Sequence, residues 1–327
     1  MTNIAPETAL ERAFGDGSLP GEGPLLAAVS GGPDSMALAG ALAAVAPRWR
    51  IPFAVGHVDH GWRGERSAAD ARFVEAFCRR RGIAFRLARV EASARGRSRE
   101  DAAREARYRA LSLMRDELGA TAIVTAHTRD DAAETILLAV LRGRPLSGLS
   151  GIRRKREDGV HRPFLDVSRP AILAYLRARR IPYRRDATND DPSFDRNWVR
   201  RRVVPLLRRR FGESVTANLA ASAEALSRDR EWIESFMARE IFPSLAVEGR
   251  STSGEAALLA AMPPAALRRA LLAMAERAGG RPISRRELLA VEALVRKGAP
   301  FFFQAGRRVD FQSRRGRISA RPAAGTP

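Results

Sequence analysis

The run Ser30-Gly31-Gly32-Pro33-Asp34-Ser35 follows a short apolar stretch, Leu25 to Val29, and precedes Met36 to Val45, a helix-forming stretch. This order predicts strand, tight turn and helix. Paired glycines let the backbone pass close to a phosphate, and a helix start presents unpaired N–H groups at the positive end of its dipole. Ser30 and Ser35 add hydroxyl donors, so Ser30, Gly31, Gly32, Pro33, Asp34 and Ser35 are the expected nucleotide-binding residues. No Gly-Lys-[Ser/Thr] follows at the Walker spacing, and the run is not GxGxxG. A carboxylate beside a triphosphate repels it unless a cation lies between them. Asp34 is therefore expected to help hold Mg²⁺, with capping of the following helix as the other use open to it.

A second group of chemically capable residues is Ala126-His127-Thr128-Arg129-Asp130-Asp131-Ala132-Ala133-Glu134-Thr135. Asp130 and Glu134 are four apart and Asp131 and Glu134 three apart, so all three acids cluster on one side of the first helical turns. Thr128 with Asp131 approximates a capping box, which accounts for one acid and not for three. Such a cluster binds Mg²⁺ or the ammonium of an amine substrate. His127, ending a strand, would contact phosphate or base. A third group, His57-Val58-Asp59-His60-Gly61, has zinc-ligand residue types, yet His57 and His60 at strand spacing point to opposite faces.

Strand and helix signals alternate around these groups. Strands are expected at Leu25–Val29, Ile51–Val58, Ala84–Val90 and Thr121–Ala126, with helices at Met36–Val45, Ser67–Arg81, Ser98–Leu118 and Asp130–Leu141. That alternation predicts an α/β fold, a doubly wound parallel sheet covered on both faces, with every group above at a carboxyl end of a strand, where such sheets bind ligands. Gly143 to Arg162 reads as a loop, Ser168 as the N-cap of a helix running to Arg180, and Arg185 to Asp195 as a polar loop. From Glu213 helices dominate, and Phe301 to Ala320 alternates as a small β-hairpin. The expected domains are 1–212, catalytic, and 213–327, mainly helical with a terminal hairpin.

The chain has 327 residues and a net charge of +20, carried almost wholly by arginine, since lysine occurs only at Lys155 and Lys297. Arginine codons are favoured in GC-rich genomes, but that does not produce an excess of cations over anions. A polyanionic partner, RNA or DNA, accounts for it. The single cysteine, Cys78, excludes an internal disulfide and any CxxC pair. With no apolar run of about 20 residues and no basic, apolar signal at Met1 to Leu10, a cytoplasmic protein with no membrane partner is expected.

The Ser30–Ser35 run resembles the SGGxDS signature of the PP-loop ATP pyrophosphatases, which cleave ATP between the α- and β-phosphates and adenylate a carbonyl-type oxygen. His57–Gly61 resembles the HVDHG segment of the tRNA(Ile)-lysidine synthases, and Ala126–Thr135 is similar to that family's AHxxDDxxET. Arg185-Asp186-Ala187-Thr188-Asn189-Asp190 with Arg196-Asn197-Trp198-Val199-Arg200 resembles its D-x-[ST]-N-x-D … RN-x-[IV]-R element, absent from the glutamine-dependent synthetases. Glu100 to Tyr108 also looks like a family segment.

The resemblance covers roughly Leu25 to Phe211, and the early end suggests a short form. It implies adenylation of the wobble cytidine of tRNA(Ile) with a CAU anticodon, attack by L-lysine and release of AMP. Site residues carried over are His57 and Asp59 at the nucleotide; catalytic Asp34, His127, Asp130, Asp131 and Glu134; and Arg104, Arg107, Asn189, Arg196, Asn197, Arg200 and Arg201 at tRNA. ATP and Mg²⁺ are the implied cofactors, and the base that deprotonates lysine is His127 or one of the Asp130–Glu134 acids. Residues 213–327 are the implied tRNA-binding extension. Oligomeric state stays open, a homodimer being one option. Rival expectations are a PP-loop tRNA thiolation enzyme, which Cys78 alone fits poorly, and a non-catalytic RNA-binding protein with a relic nucleotide pocket.

Overall fold

The structure, a computed structural model, describes residues 4–59, 65–90, 99–184, 195–279 and 283–323. The chain divides into two compact units, 1–227 and 228–327.

The first unit runs α1 (Pro6–Gly15), β1 (Leu25–Ala28), α2 (Pro33–Val45), β2 (Phe53–Asp59), α3 (Glu65–Arg79), β3 (Ala84–Arg89), α4 (Arg99–Glu117), β4 (Ala122–Val124), α5 (Arg129–Leu141), α6 (Leu146–Leu149), β5 (Val160–His161) and α7 (Arg169–Ala178). After residues 185–194 come α8 (Asp195–Trp198), a π-helical turn over Val199–Val203, α9 (Val204–Phe211) and α10 (Val215–Phe236). The division between units falls within α10, beyond the Phe211–Gly212 boundary expected from the sequence.

Five parallel strands form the first sheet in the order β3-β2-β1-β4-β5. Burial on both faces explains its composition: Leu25, Leu26, Ala27, Ile123 and Val124 are all fully buried, the continuous apolar pattern of a covered parallel sheet. On one face, α2, α3 and α7 contribute Met36, Leu38, Val74, Phe77, Ile172 and Leu176 to the core with Leu25 and Val55. On the other, Tyr108, Leu111 and Met114 of α4 pack against Leu26, Ile123 and Val160. Gly56 permits that closeness, because a Cβ there would lie 3.0 Å from Met114 Sδ and 3.1 Å from Leu26 Cδ1.

Strand order reverses between β1 and β4, so their carboxyl ends open a crevice, the switch point at which doubly wound sheets take ligands. The two richest groups of chemical residues follow these two strands. β5 was not legible in the sequence: the stretch read as a loop, Gly143 to Arg162, contains the short helix α6 and the two-residue strand β5.

The second unit holds α11 (Ala256–Ala261), α12 (Pro264–Gly279) and α13 (Arg285–Lys297) with an antiparallel sheet. Its strands are β6 (Ala246–Glu248), β7 (Ser251–Glu255), β8 (Phe301–Ala305), β9 (Val309–Arg314) and β10 (Arg317–Pro322), ordered β6-β7-β10-β9-β8. The hairpin expected at Phe301–Ala320 is thus three strands of a larger sheet. β6 and β7, rich in Ser, Glu and Gly, lack the β-branched alternation that would have announced them. The core of this unit is Leu271, Met274, Val291 and Phe311. No described helix is long and apolar enough to cross a membrane.

Candidate active site

At the end of β1 the chain turns through Gly31, whose φ of +90° is open to glycine and strained for other residues. The Ser30 amide donates to Ser35 Oγ at 3.1 Å, and the Ser35 hydroxyl donates to the Gly32 carbonyl at 3.0 Å. Gly32 is the N-cap of α2, and no side chain caps this helix, with Pro33 in its first turn. The first N–H groups of α2 therefore face whatever lies against the turn. Outside the turn, the Arg184 amide donates to the Gly31 carbonyl at 2.9 Å and fixes its direction. Gly31→Ala is expected to cost about 1–2 kcal/mol from the left-handed backbone alone and to weaken ATP binding. Urea unfolding and nucleotide titration check the two effects separately.

β4 leads into α5 through Thr125, His127 and Thr128. Thr128 and Asp131 form a complete capping box: Asp131 Oδ2 accepts the Thr128 amide at 2.8 Å and its hydroxyl at 2.9 Å. The remaining acid contacts run to arginines. Asp131 Oδ1 accepts from Arg196 at 2.9 Å and Arg200 at 3.2 Å. Glu134, 2% exposed, accepts Arg196 Nε at 3.0 Å and Arg200 Nε at 2.6 Å. Asp130 accepts Arg208 at 2.9 Å and the Arg169 amide at 2.7 Å. The π-helical turn Val199–Val203 carries Arg200 and lies between Arg196 and Arg208, where the segment 195–211 docks three guanidiniums on the start of α5.

Asp34 differs from the other acids. Its Oδ2 has only a 3.5 Å contact with Arg169 Nη1, and its buried Oδ1 has no partner. Burial pushes its carboxyl up to about 6, with Asp131 and Asp130 adding to the rise and Arg169 and Arg200 opposing it. An orphaned, buried carboxylate oxygen beside an uncapped helix start fits a cation arriving with a triphosphate. Among the described residues no three His, Cys, Asp or Glu side chains converge on a point. Mg²⁺ suits this arrangement, since it is usually held by one or two carboxylates together with substrate phosphates.

Charges elsewhere in the crevice are settled. Burial alone would raise Asp131, but Arg196, His127, the Thr128 amide and Arg200 together hold it below the usual range. Burial drives His127 down to about 3, against the pull of Asp131. It is neutral throughout the physiological range, with the Thr125 hydroxyl 2.9 Å from its Nδ1. His57, 4% exposed and also lowered by burial, lies with Nδ1 2.8 Å from the Val29 carbonyl, tying β2 to the end of β1. Asp59 is buried at the end of β2.

Asp34, His127, Asp130, Asp131 and Glu134 are thus brought to one crevice with Ser30–Ser35. Arg196 and Arg200, expected at tRNA, pair with Asp131 and Glu134. Asn197 is buried, whereas Arg104, Arg107 and Arg201 are exposed. Asn189, with the rest of Arg185–Pro192, and His60 and Gly61 lie outside the described residues. Arg169 and Arg208 were not singled out from the sequence. Arg208 stands in a run of basic residues with nothing to separate it, and Arg169 is visible only as the residue after a helix cap.

Residues 6–207 match the PP-loop domain family model. The tRNA(Ile)-lysidine synthase of Salinispora tropica is 40% identical over 304 residues, 90% of each chain. The chain belongs to the tRNA(Ile)-lysidine synthase family. Another member of that family, from Thermus thermophilus, is 44% identical over 85% of this chain. The chain spans only 53% of that relative, and 44% of the tRNA(Ile)-lysidine synthase of Symbiobacterium thermophilum, to which it is 42% identical over 211 residues. About half the length of these longer relatives is therefore matched.

Among solved structures, the U34-tRNA thiolase NcsA from Methanococcus maripaludis superposes with a TM-score of 0.55 at 16% identity, covering 68% of this chain and 78% of that one. That likeness carries the fold alone. Membership of the PP-loop family implies use of ATP.

Proposed function

We propose that the chain joins lysine to C2 of the wobble cytidine of tRNA(Ile) bearing a CAU anticodon, converting ATP to AMP and pyrophosphate. One observation supports this reading above others: the uncapped glycine turn after β1 and the arginine-clamped acids of α5, after β4, meet across the strand-order reversal, with Asp34 beside both.

In this reaction the cytidine O2 attacks the α-phosphorus and pyrophosphate leaves; the lysine ε-ammonium gives a proton to His127 or one of the Asp130–Glu134 acids, its amine attacks C2, and AMP leaves with the O2 atom. The target base has to be splayed from the anticodon loop to reach the crevice. Ser30, Ser35 and the first amides of α2 hold the triphosphate. Asp34 would hold Mg²⁺, which supplies charge neutralisation at the phosphates. Asp131, held below the usual carboxylate range, stays ionised, and with Glu134 it fixes Arg196 and Arg200 facing the crevice. Four acids and four arginines (Arg169, Arg196, Arg200 and Arg208) compensate one another, which leaves the site able to accept a polyanion. The ammonium of lysine shares the Asp131 and Glu134 carboxylates with those guanidiniums. The basic surface and the second unit engage tRNA, in the cytoplasm.

Incubation with labelled lysine, ATP and unmodified tRNA(Ile) tests the reading. Lysine entering tRNA only with ATP supports it; sulfur transfer, or binding without chemistry, contradicts it. Thiolation fits the chain poorly, because Cys78 is fully buried and burial pushes its thiol up to about 11. Cys78→Ala is accordingly expected to keep lysine transfer within about twofold of the parent, as one buried small residue replaces another in the core. A loss of activity without a loss of fold, followed by circular dichroism, would assign the thiol a chemical role.

A further inference from the structure

Of the arginines at the crevice, three pair closely with acids. Arg196 and Arg200 share Asp131 and Glu134, and Arg208 bonds Asp130. Arg169 breaks this pattern. Among the described residues its guanidinium has one contact, Nη1 to Asp34 Oδ2 at 3.5 Å, longer than an ordinary hydrogen bond. A guanidinium carries five N–H donors, so most of this fork is open to a ligand.

The backbone that carries Arg169 is fixed from several sides. Ser168, 3% exposed, caps α7 by accepting the Ala171 amide at 3.3 Å. The Arg169 amide donates to Asp130 Oδ2 at 2.7 Å, and the Val167 carbonyl accepts the Arg129 amide at 3.0 Å. Met36 and Leu38 of α2 share one core with Ile172 and Leu176 of α7. The guanidinium is therefore held beside the first turn of α2, next to Asp34 and the Ser30–Ser35 run.

The chemistry needs a cation at that place. Cleavage between the α- and β-phosphates is an in-line displacement, so the attacking base and the departing pyrophosphate lie on opposite sides of the α-phosphorus. Arg196, Arg200 and Arg208 are committed to the acids of α5, on the side given above to base and lysine. The start of α2 and the open fork of Arg169 remain for the leaving group.

We propose that Arg169 is a catalytic residue that binds the β- and γ-phosphates of ATP and meets the charge of the departing pyrophosphate. The inference rests on the ATP-cleaving half of the reading above and deepens it. As the cytidine O2 bonds to the α-phosphorus, the oxygen bridging to the β-phosphate keeps the electron pair of the bond that breaks. Arg169 donates hydrogen bonds to that anion and keeps its own proton, and its planar fork matches phosphate geometry.

The test is calorimetric titration of the full chain with ATP, inorganic pyrophosphate and AMP, each with Mg²⁺. Arg169→Gln should weaken ATP and pyrophosphate by about ten- to a hundredfold, the worth of one hydrogen bond between charged groups, and leave AMP within about twofold. The variant should fold like the parent, because the backbone amide that holds Asp130 is retained. Arg169→Lys, which keeps the charge and loses the fork, should recover part of the loss. Equal losses for ATP and AMP, or unchanged pyrophosphate affinity, would overturn the proposal. So would a loss that vanishes when Arg169→Gln is made in Asp34→Asn protein, since Arg169 would then act only through Asp34. A parent that binds ATP and pyrophosphate in this Arg169-dependent way yet transfers no lysine would sink the ligase reading and leave the assignment standing.

Discussion

Asp34→Asn should fold at least as stably as the parent at pH 8 and lose about two to three orders of magnitude in lysine transfer. The two halves of this result have one cause. The Asp34 carboxyl is raised to about 6 by burial, above its unfolded value of 3.8. The folded state therefore holds the Asp34 proton more tightly than the unfolded state does. Its contribution to stability is fullest below the unfolded value and falls away as pH rises through about 6. Above that, an ionised carboxylate with one oxygen unpartnered is a standing cost, on the order of 1–3 kcal/mol. Asparagine removes that cost.

The same substitution removes the anionic ligand for a cation at the phosphates, and losing one preorganised electrostatic contact of that kind typically costs about 10²–10³ in rate. In the parent, protons compete with Mg²⁺ below about pH 6, so apparent Mg²⁺ affinity should fall up to about tenfold per pH unit there. Calorimetry at pH 5.5 and 8 checks stability, and initial rates across Mg²⁺ concentration check function. A clear loss of stability at pH 8 would mean that Asp34 is a structural partner in the free protein.

Glu134→Ala is the second large effect, and its direction is opposite for stability. Glu134 is 2% exposed and takes hydrogen bonds from both Arg196 and Arg200. Removing it leaves two guanidiniums with Asp131 alone between them. Breaking a buried pair by deleting one partner costs about 3–5 kcal/mol, because the charge left behind is uncompensated. Urea unfolding should show that loss, with activity falling alongside as the segment 195–211 loses its seat on α5. Glu134→Gln, which keeps the shape and one acceptor, should cost less. A loss under about 1 kcal/mol for alanine would indicate that the network is loose and solvated.

Much of the first unit was legible in the sequence for a physical reason. In a parallel sheet buried on both faces, each strand is a continuous apolar run and each turn beyond it is punctuated, so Leu25 to Val29 followed by Ser-Gly-Gly-Pro announces both structure and site. The Thr128–Asp131 capping box was equally readable, because capping is local. The partners of the acids were not. Arg196, Arg200 and Arg208 reach Asp130, Asp131 and Glu134 across more than sixty residues, and nothing in a basic run states which guanidinium will be neutralised at a distance. β5 and β6 were missed because two- or three-residue strands carry no period. Arg169 was missed because its partner, Asp34, lies 135 residues away, a nearness that only the folded chain reveals.

The most direct test of the central claim is exchange of labelled pyrophosphate into ATP, with tRNA alone, lysine alone, or both present. If the β1 turn and the α5 acids activate the nucleic acid, unmodified tRNA(Ile) should support exchange without lysine, and Asp34→Asn should abolish it. Exchange driven by lysine without tRNA would mean that the amino acid is the group activated, and would contradict the account.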